Sequence, residues 1–259
     1  MSAFDGLAST YDTIFTESSI GILQRAVVHQ YLQKAINWPL NSILEIGCGT
    51  GADLKWFVER SRSIEAFDIS KAMIDQAQRK ISKSKHATLY QADLHEWIGK
   101  PTTSKYDLIF SNFGVLNCLP PSALQALQTK CVPSLHDSGS LILVLMPQDC
   151  LFEKIYFTLT GKWSKINRRT SPLGTVAKLP GDRQQVWYYN PDFIRQCFPD
   201  LQMVQVIPVG MAIPPSYLQA LFDKRPLLLN GLTSLDKALR KISLLGRYAD
   251  HYLIHLVKK

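Results

Sequence analysis

The sequence is sparing in cysteine and has no long apolar run, and both shortages narrow the field. The five cysteines, Cys48, Cys118, Cys131, Cys150 and Cys197, form no CxxC pair, and no histidine stands at finger spacing. A zinc site is therefore not expected, nor any other metal, and scattered thiols without a framework fit a reducing cytosol. The longest apolar run, Leu141 to Pro147, is too short to span a bilayer. The first residues, MSAFDGLASTYD, carry no basic stretch followed by an apolar one, so no signal peptide is expected. The expectation is a cytoplasmic protein without a transmembrane segment. Internal repeats and low-complexity tracts are also absent. Acidic residues are outnumbered, 21 against 29 Lys and Arg, for a net charge of +8. The basic residues are spread along the chain rather than blocked, which favours a solvated surface over a nucleic-acid stripe. A peripheral membrane contact stays open.

What is present is a rich supply of core. Of 259 residues, 46% are hydrophobic and 19% charged, enough to build one large α/β domain. Strand-like and helix-like segments alternate. Ile20 to Ile36 has apolar residues at helical spacing and stops at Trp38-Pro39. Ser42 to Ile46 is a short strand, Gly51 to Arg60 a helix, and Ile64 to Phe67 a second strand. Ser70 is placed to cap a helix running to about Lys83. Thr88 to Gln91 and Tyr106 to Phe110 are further strands. A helix from Pro121 to about Leu135 leads to the strand Ser140 to Met146. Strict alternation predicts a parallel sheet with helices on both faces and its ligand at the strands' C-terminal edge.

The alternation breaks at Pro147, where about 45 aromatic, basic and irregular residues follow. Within them Gly174 to Leu179 and Gln184 to Tyr189 flank Pro180-Gly181-Asp182, a hairpin signal. A helix over about Pro191 to Cys197 and two late strands, Gln202 to Val209 and His251 to Val257, complete the pattern.

The chemistry concentrates at three successive strand tips. Ile43 to Ile46 runs into Gly47-Cys48-Gly49-Thr50-Gly51, glycines that permit a tight turn and a close ligand, ahead of a helix N-terminus. The second strand ends in Asp68, suited to accept ribose hydroxyls. The third ends in Asp93, which can receive an adenine amino group. Met73, one helical turn past Asp68, is suited to pack on an adenine face.

LEIGCGTG, FDIS with Met73, QADL and YDLIFSNFGVLNCL, in that order, resemble motifs I to IV of the class I S-adenosylmethionine (SAM)-dependent methyltransferases. The resemblance spans about Ser42 to Pro147, and the late strands extend it. It implies a Rossmann-like, seven-stranded, mostly parallel sheet whose last strand is antiparallel, with helices on both faces and an insertion after strand five. It implies a single domain over 1–259, a helical cap over 1–40, and a substrate cap over 148–198. The implied cofactor is SAM, leaving S-adenosyl-L-homocysteine. Carried over residue by residue, Gly47, Cys48, Gly49 and Gly51 would shape the loop beneath the methionine part, and Glu45 would orient that part. Asp68 would hold the ribose, Ile69 and Met73 would sandwich the adenine, and Asp93 with Leu94 would meet its edge. Asn112 would sit beside the sulfonium, and Tyr11 would cap the methionine carboxylate.

Methyl transfer needs alignment and exclusion of water more than it needs a base, so no catalytic residue is assigned. His29, His251, Asp250, Tyr188 and Tyr189 are base candidates by type alone. The acceptor is expected to be a small lipophilic or aromatic metabolite, methylated on oxygen, carbon or nitrogen. Phe113 to Asn117 would line the mouth. Phe152, Tyr156, Phe157, Trp163, Trp187, Tyr188 and Tyr189, with Arg168, Arg169 and Arg183, would close over it, unless they form a satellite core. Three alternatives compete: an RNA methyltransferase, a nicotinamide-dependent dehydrogenase sharing the glycine pattern, and a non-catalytic SAM-binding partner subunit. Oligomeric state is not readable.

Overall fold

The computed structural model describes residues 4–101, 103–179 and 182–259. Helix α1 (Ser19–Ala35) begins at Ser18, whose hydroxyl accepts the Gly21 N–H, and ends before Trp38-Pro39. Then follow β1 (Leu40–Ile46), α2 (Leu54–Val58), β2 (Ser61–Asp68), α3 (Lys71–Lys80), β3 (Ala87–Gln91), α4 (Leu94–Gly99) and β4 (Tyr106–Ser111). The second half holds α5 (Pro121–Ala126), α6 (Gln128–Cys131), β5 (Leu135–Leu145), α7 (Leu151–Leu159), the hairpin β6 (Thr175–Leu179) and β7 (Asp182–Val186), and α8 (Pro191–Cys197). It closes with β8 (Leu201–Val209), α9 (Gln219–Phe222), α10 (Pro226–Leu239) and β9 (His251–Lys258).

Seven strands form one sheet in the order β3-β2-β1-β4-β5-β9-β8. The first five pair in parallel, while β9 runs antiparallel between β5 and β8. The expected seven-stranded sheet with an antiparallel last strand is thus the observed one. Side chains alternate across it. Leu44, Ile46, Ile109, Leu141 and Leu143 face a core closed by α4, α5, α6 and α8. Ile43, Leu108, Phe110, Ile142 and Val144 face a second core under α1, α2 and α3. Glu45 and Asn112 share the parity of this second face, which sets both polar side chains beneath α1.

Some local expectations shift. The helix expected from Gly51 starts only at Leu54, because Gly51 holds φ +78° and cannot join it. The helix expected to reach Leu135 breaks into α5 and α6, and β5 starts early at Leu135, with Ser138 at φ +64° and a shift of register against β4. Helices α4 and α7 were not foreseen. The hairpin pairs as expected, its tip at 180–181 lying outside the described residues. Its second strand stops at Val186. Trp187 N–H turns to the Asn117 carbonyl at 2.7 Å, and Tyr189 N–H to the Met146 carbonyl at 3.1 Å.

Candidate functional site

Strand order reverses between β1 and β4, and a cavity of about 450 Å³ opens there, at the C-terminal edge of the parallel strands. Its floor is the loop after β1. Gly47 (φ +69°) and Gly49 (φ +52°) turn the chain as only glycine does freely. A Cβ on Gly47 would stand 2.3 Å from Val115, whereas one on Gly49 would meet nothing within 4 Å. The open side of Gly49 belongs to the cavity.

Asp68 fastens this loop to β2: its carboxylate accepts the Gly49 N–H and the Ser70 N–H, each at 2.9 Å. Burial pushes the Asp68 pKa up, and those two N–H groups pull against the rise. Ser70 caps α3 by accepting the Met73 N–H, and Asp93 caps α4 by accepting the His95 N–H at 2.7 Å. Asp68 thus fixes local backbone and Asp93 caps a helix, and both side chains also line the cavity. Ile69, Met73 and Leu94 stand on the same wall, and Tyr11, Glu45, Cys48 and Asn112 on the rest of it. Gly51 does not: its Cβ position points at Ala77, 2.9 Å away, so its constraint is the approach of α3.

A buried charge cluster, missed in the sequence, lines the cavity beneath α1. Asp53 accepts from the Arg25 guanidinium, from His29 at 2.7 Å and from Asn112 at 2.8 Å. Burial alone would raise the Asp53 pKa. The positive Arg25 and the His29 hydrogen bond outweigh it and hold the carboxyl well below its usual range. Arg25 also lies 5.1 Å above the Phe113 ring. Glu45 faces the same cluster, and burial together with the negative Asp53 pushes its pKa well up. Glu45 Oε2 and Arg25 Nε are both buried without a hydrogen-bond partner. An unsatisfied buried acceptor and donor on one cavity wall point to a ligand that meets them. Contacts 28 and 24 residues apart leave no local pattern. The one signal was a polar Asp53 where a helix packs on a sheet.

The insertion pairs buried charge internally. Glu153, on α7, takes both Arg168 and Arg169, and Arg169 continues to Asp250 at 2.7 Å. These arginines are neutralised in a buried network, so they are not spare anion receptors. Phe152 rests on Phe222 and Arg169 lies over Tyr188. Tyr189 joins the main core with Trp187 packed against it, Trp163 is exposed, and among the described residues of the 148–198 segment only Gln184 reaches the cavity wall. None of the five base candidates lies on that wall either. His29 is spent on Asp53, Asp250 on Arg169 and Gln24, and His251 stands 3.1 Å from Asp250. Tyr188 meets Thr175, and Tyr189 donates to the Leu119 carbonyl.

Residues 43–139 match the model of a methyltransferase domain family. Over these residues, somewhat more than a third of its length, the chain is similar to that methyltransferase family. The methyltransferase match covers all three strand tips of the cavity. A curated relative, malonyl-[acyl-carrier protein] O-methyltransferase 1 of Ilyobacter polytropus, is 37% identical over 73 residues, 27% of this chain and 26% of that protein. The chain thus spans about a quarter of that relative's length. Among solved structures, the DhpI–SAM–HEP complex superposes with a TM-score of 0.63 at 14% identity, covering 99% of this chain and 94% of that one. A SAM-dependent methyltransferase from Clostridium acetobutylicum superposes at 0.60 with 11% identity, 99% of each chain covered. At these identities the solved structures speak for the fold. SAM fits the wall as built: an open-sided glycine, an orphaned Glu45 oxygen and acids at two further strand tips.

Proposed function

We propose that this methyltransferase transfers the methyl group of SAM to a small lipophilic or aromatic acceptor by in-line displacement. The observation that carries the reading is the single cavity in which three strand tips, an unpartnered carboxylate oxygen and an apolar mouth meet. When bound, SAM supplies a methyl carbon on a positively charged sulfur, already a good leaving group. The chain's own residues then have to hold and align. Asp68 keeps lone pairs free for ribose hydroxyls beyond its two backbone bonds. Ile69 and Met73 would grip the adenine, with Asp93 and Leu94 at its edge. Glu45 Oε2, Tyr11 and the Gly47-Cys48-Gly49 turn would hold the methionine part. Asn112 would stand beside the sulfur, fixed by its bond to Asp53.

Phe113, Gly114, Val115 and Leu119 give the acceptor side an apolar lining that excludes water. Phe113 is held in a left-handed turn at φ +42° with Arg25 over its ring. A wall built to fix an aromatic face suits orientation of a flat acceptor, the main contribution this reaction requires.

A second reading has one observation in its favour. The Arg25 Nε–H has no partner on the cavity wall, and malonyl-[acyl-carrier protein] O-methyltransferases appear among the relatives by name. A carboxyl-bearing acceptor would satisfy that donor. The test is incubation of the enzyme with isotope-labelled SAM and a metabolite extract, followed by mass spectrometry. Labelled products that partition into organic solvent support the first reading, and labelled methyl esters of acids the second. An absence of any labelled product, with SAM binding intact, would refute methyl transfer.

A further inference from the structure

Helix α10 is apolar on more than one side. Its inward side carries the buried Leu229 and the buried Asp236, which accepts the Ala212 N–H at 3.0 Å and pairs with Arg240. Its outward side carries Leu227, Leu228 and Leu235, exposed by 85%, 49% and 51%. These fall on one stripe at i, i+1 and i+8, and the exposed Ile242 continues it beyond the helix. A surface helix ordinarily keeps its outward side polar. Helix α7 repeats the pattern: Leu151, Ile155 and Leu159, at i, i+4 and i+8, all face solvent, and the exposed Trp163 follows.

Helix α7 neighbours α9, the helix that leads into α10. Phe152 of α7 packs on Phe222 at the end of α9 with ring centroids 5.9 Å apart, and Arg168 lies over Tyr217. Both grow from the same side of the sheet. Helix α7 follows the C-terminal end of β5. The segment bearing α9 and α10 leaves the C-terminal end of β8, which runs parallel to β5. That edge is the one on which the cavity opens.

Charge selects the partner. From residue 224 to 247 the chain has Lys224, Arg225, Lys237, Arg240, Lys241 and Arg247 against one acid, the buried Asp236. Lys224, Arg225, Lys237 and Lys241 are exposed beside the leucines. Lys162 and Lys165, both exposed, bracket Trp163 in the same way. Apolar side chains flanked by lysine and arginine, with an indole at the margin, match the headgroup boundary of an anionic bilayer. Two copies of this face would set lysines against lysines, which disfavours self-pairing. Among the described residues no helix is long and apolar enough to cross a membrane, so contact is with the surface.

We propose that the outward faces of α10 and α7 dock this protein on an anionic lipid bilayer, with the cavity edge turned towards the membrane. The docking is independent of methyl transfer and is tested without activity. Purified protein is sedimented with vesicles of phosphatidylcholine alone and of phosphatidylcholine with phosphatidylglycerol. The wild type should sediment with the anionic vesicles only and be released by high salt. Leu227→Asn with Leu235→Asn should weaken partitioning by at least about tenfold, and Lys237→Glu with Lys241→Glu by about as much. Val204→Glu, an equally exposed apolar position on β8, should bind as the wild type does. Thermal melting checks that every variant is folded. Sedimentation with neutral vesicles to the same extent, no sedimentation with anionic ones, or equal loss in Val204→Glu would overturn the proposal. So would a solution dimer that the leucine substitutions dissociate.

Discussion

Removal of the Asp53 carboxylate should damage both the fold and the cavity wall around Asn112. Its side chain is 4% exposed and accepts from three donors, Arg25, His29 and Asn112. Breaking a fully buried pair from one side costs about 3–5 kcal/mol, because the surviving charge stays desolvated. Arg25 and His29 keep 18% and 21% exposure, so water recovers part of that loss. Asp53→Ala should therefore lose about 2–4 kcal/mol, read as a lowered urea midpoint by circular dichroism. Adding Arg25→Met removes the stranded cation and should restore a good part of the loss, a coupling of roughly 1 kcal/mol or more. The Asp53 pKa is held below its unfolded value, so its contribution is complete above about pH 4 and fades only as acid titrates the folded carboxyl. The stability gap between wild type and Asp53→Ala should thus narrow as pH falls below about 4. A loss under about 0.5 kcal/mol, or strict additivity with Arg25→Met, would refute the assignment of this cluster as a buried, mutually dependent unit.

Glu45→Gln should weaken SAM binding by roughly 1–3 kcal/mol in calorimetry, yet leave the melting temperature equal or higher, since it relieves a buried acid whose pKa burial has raised. Gly51→Ala should cost about 1–3 kcal/mol in urea unfolding, from its positive φ and the 2.9 Å approach to Ala77, while the folded fraction keeps wild-type SAM affinity. His255 is bonded to Tyr31 and Ser140, and burial lowers its pKa to about 4. The unfolded histidine takes a proton first, so stability should fall as pH drops from about 6.5 to about 4, by up to about 3 kcal/mol, and His255→Gln should flatten that slope.

The sheet was legible because its signals are local. Apolar runs bounded by glycine or proline, a serine at a helix start and acids at strand ends each sit within a few residues. The α2 start was misplaced because Gly51 serves packing against Ala77 rather than the helix, and a glycine's φ is not written in its neighbours. Short helices such as α4 hold too few residues to display a period. The Arg25–Asp53–His29 cluster was invisible for another reason: its members meet only when α1 lies across β1 and β4. Composition misled at the insertion. Arginines beside aromatics suit an anion-binding lid and internal ion pairs alike, and only the position of Glu153 and Asp250 shows Arg168 and Arg169 to be paired. The outward leucines of α10 were beyond reach for the same reason, because sequence reveals a stripe but not which way it faces.

Isothermal calorimetry of SAM with the wild type and with Asp68→Ala tests the convergence of the strand tips most directly. One SAM should bind per chain, and the substitution should weaken it by roughly 1–3 kcal/mol through the ribose contacts while the protein stays folded. No heat of SAM binding to the wild type, or an unchanged affinity in folded Asp68→Ala, would contradict the account.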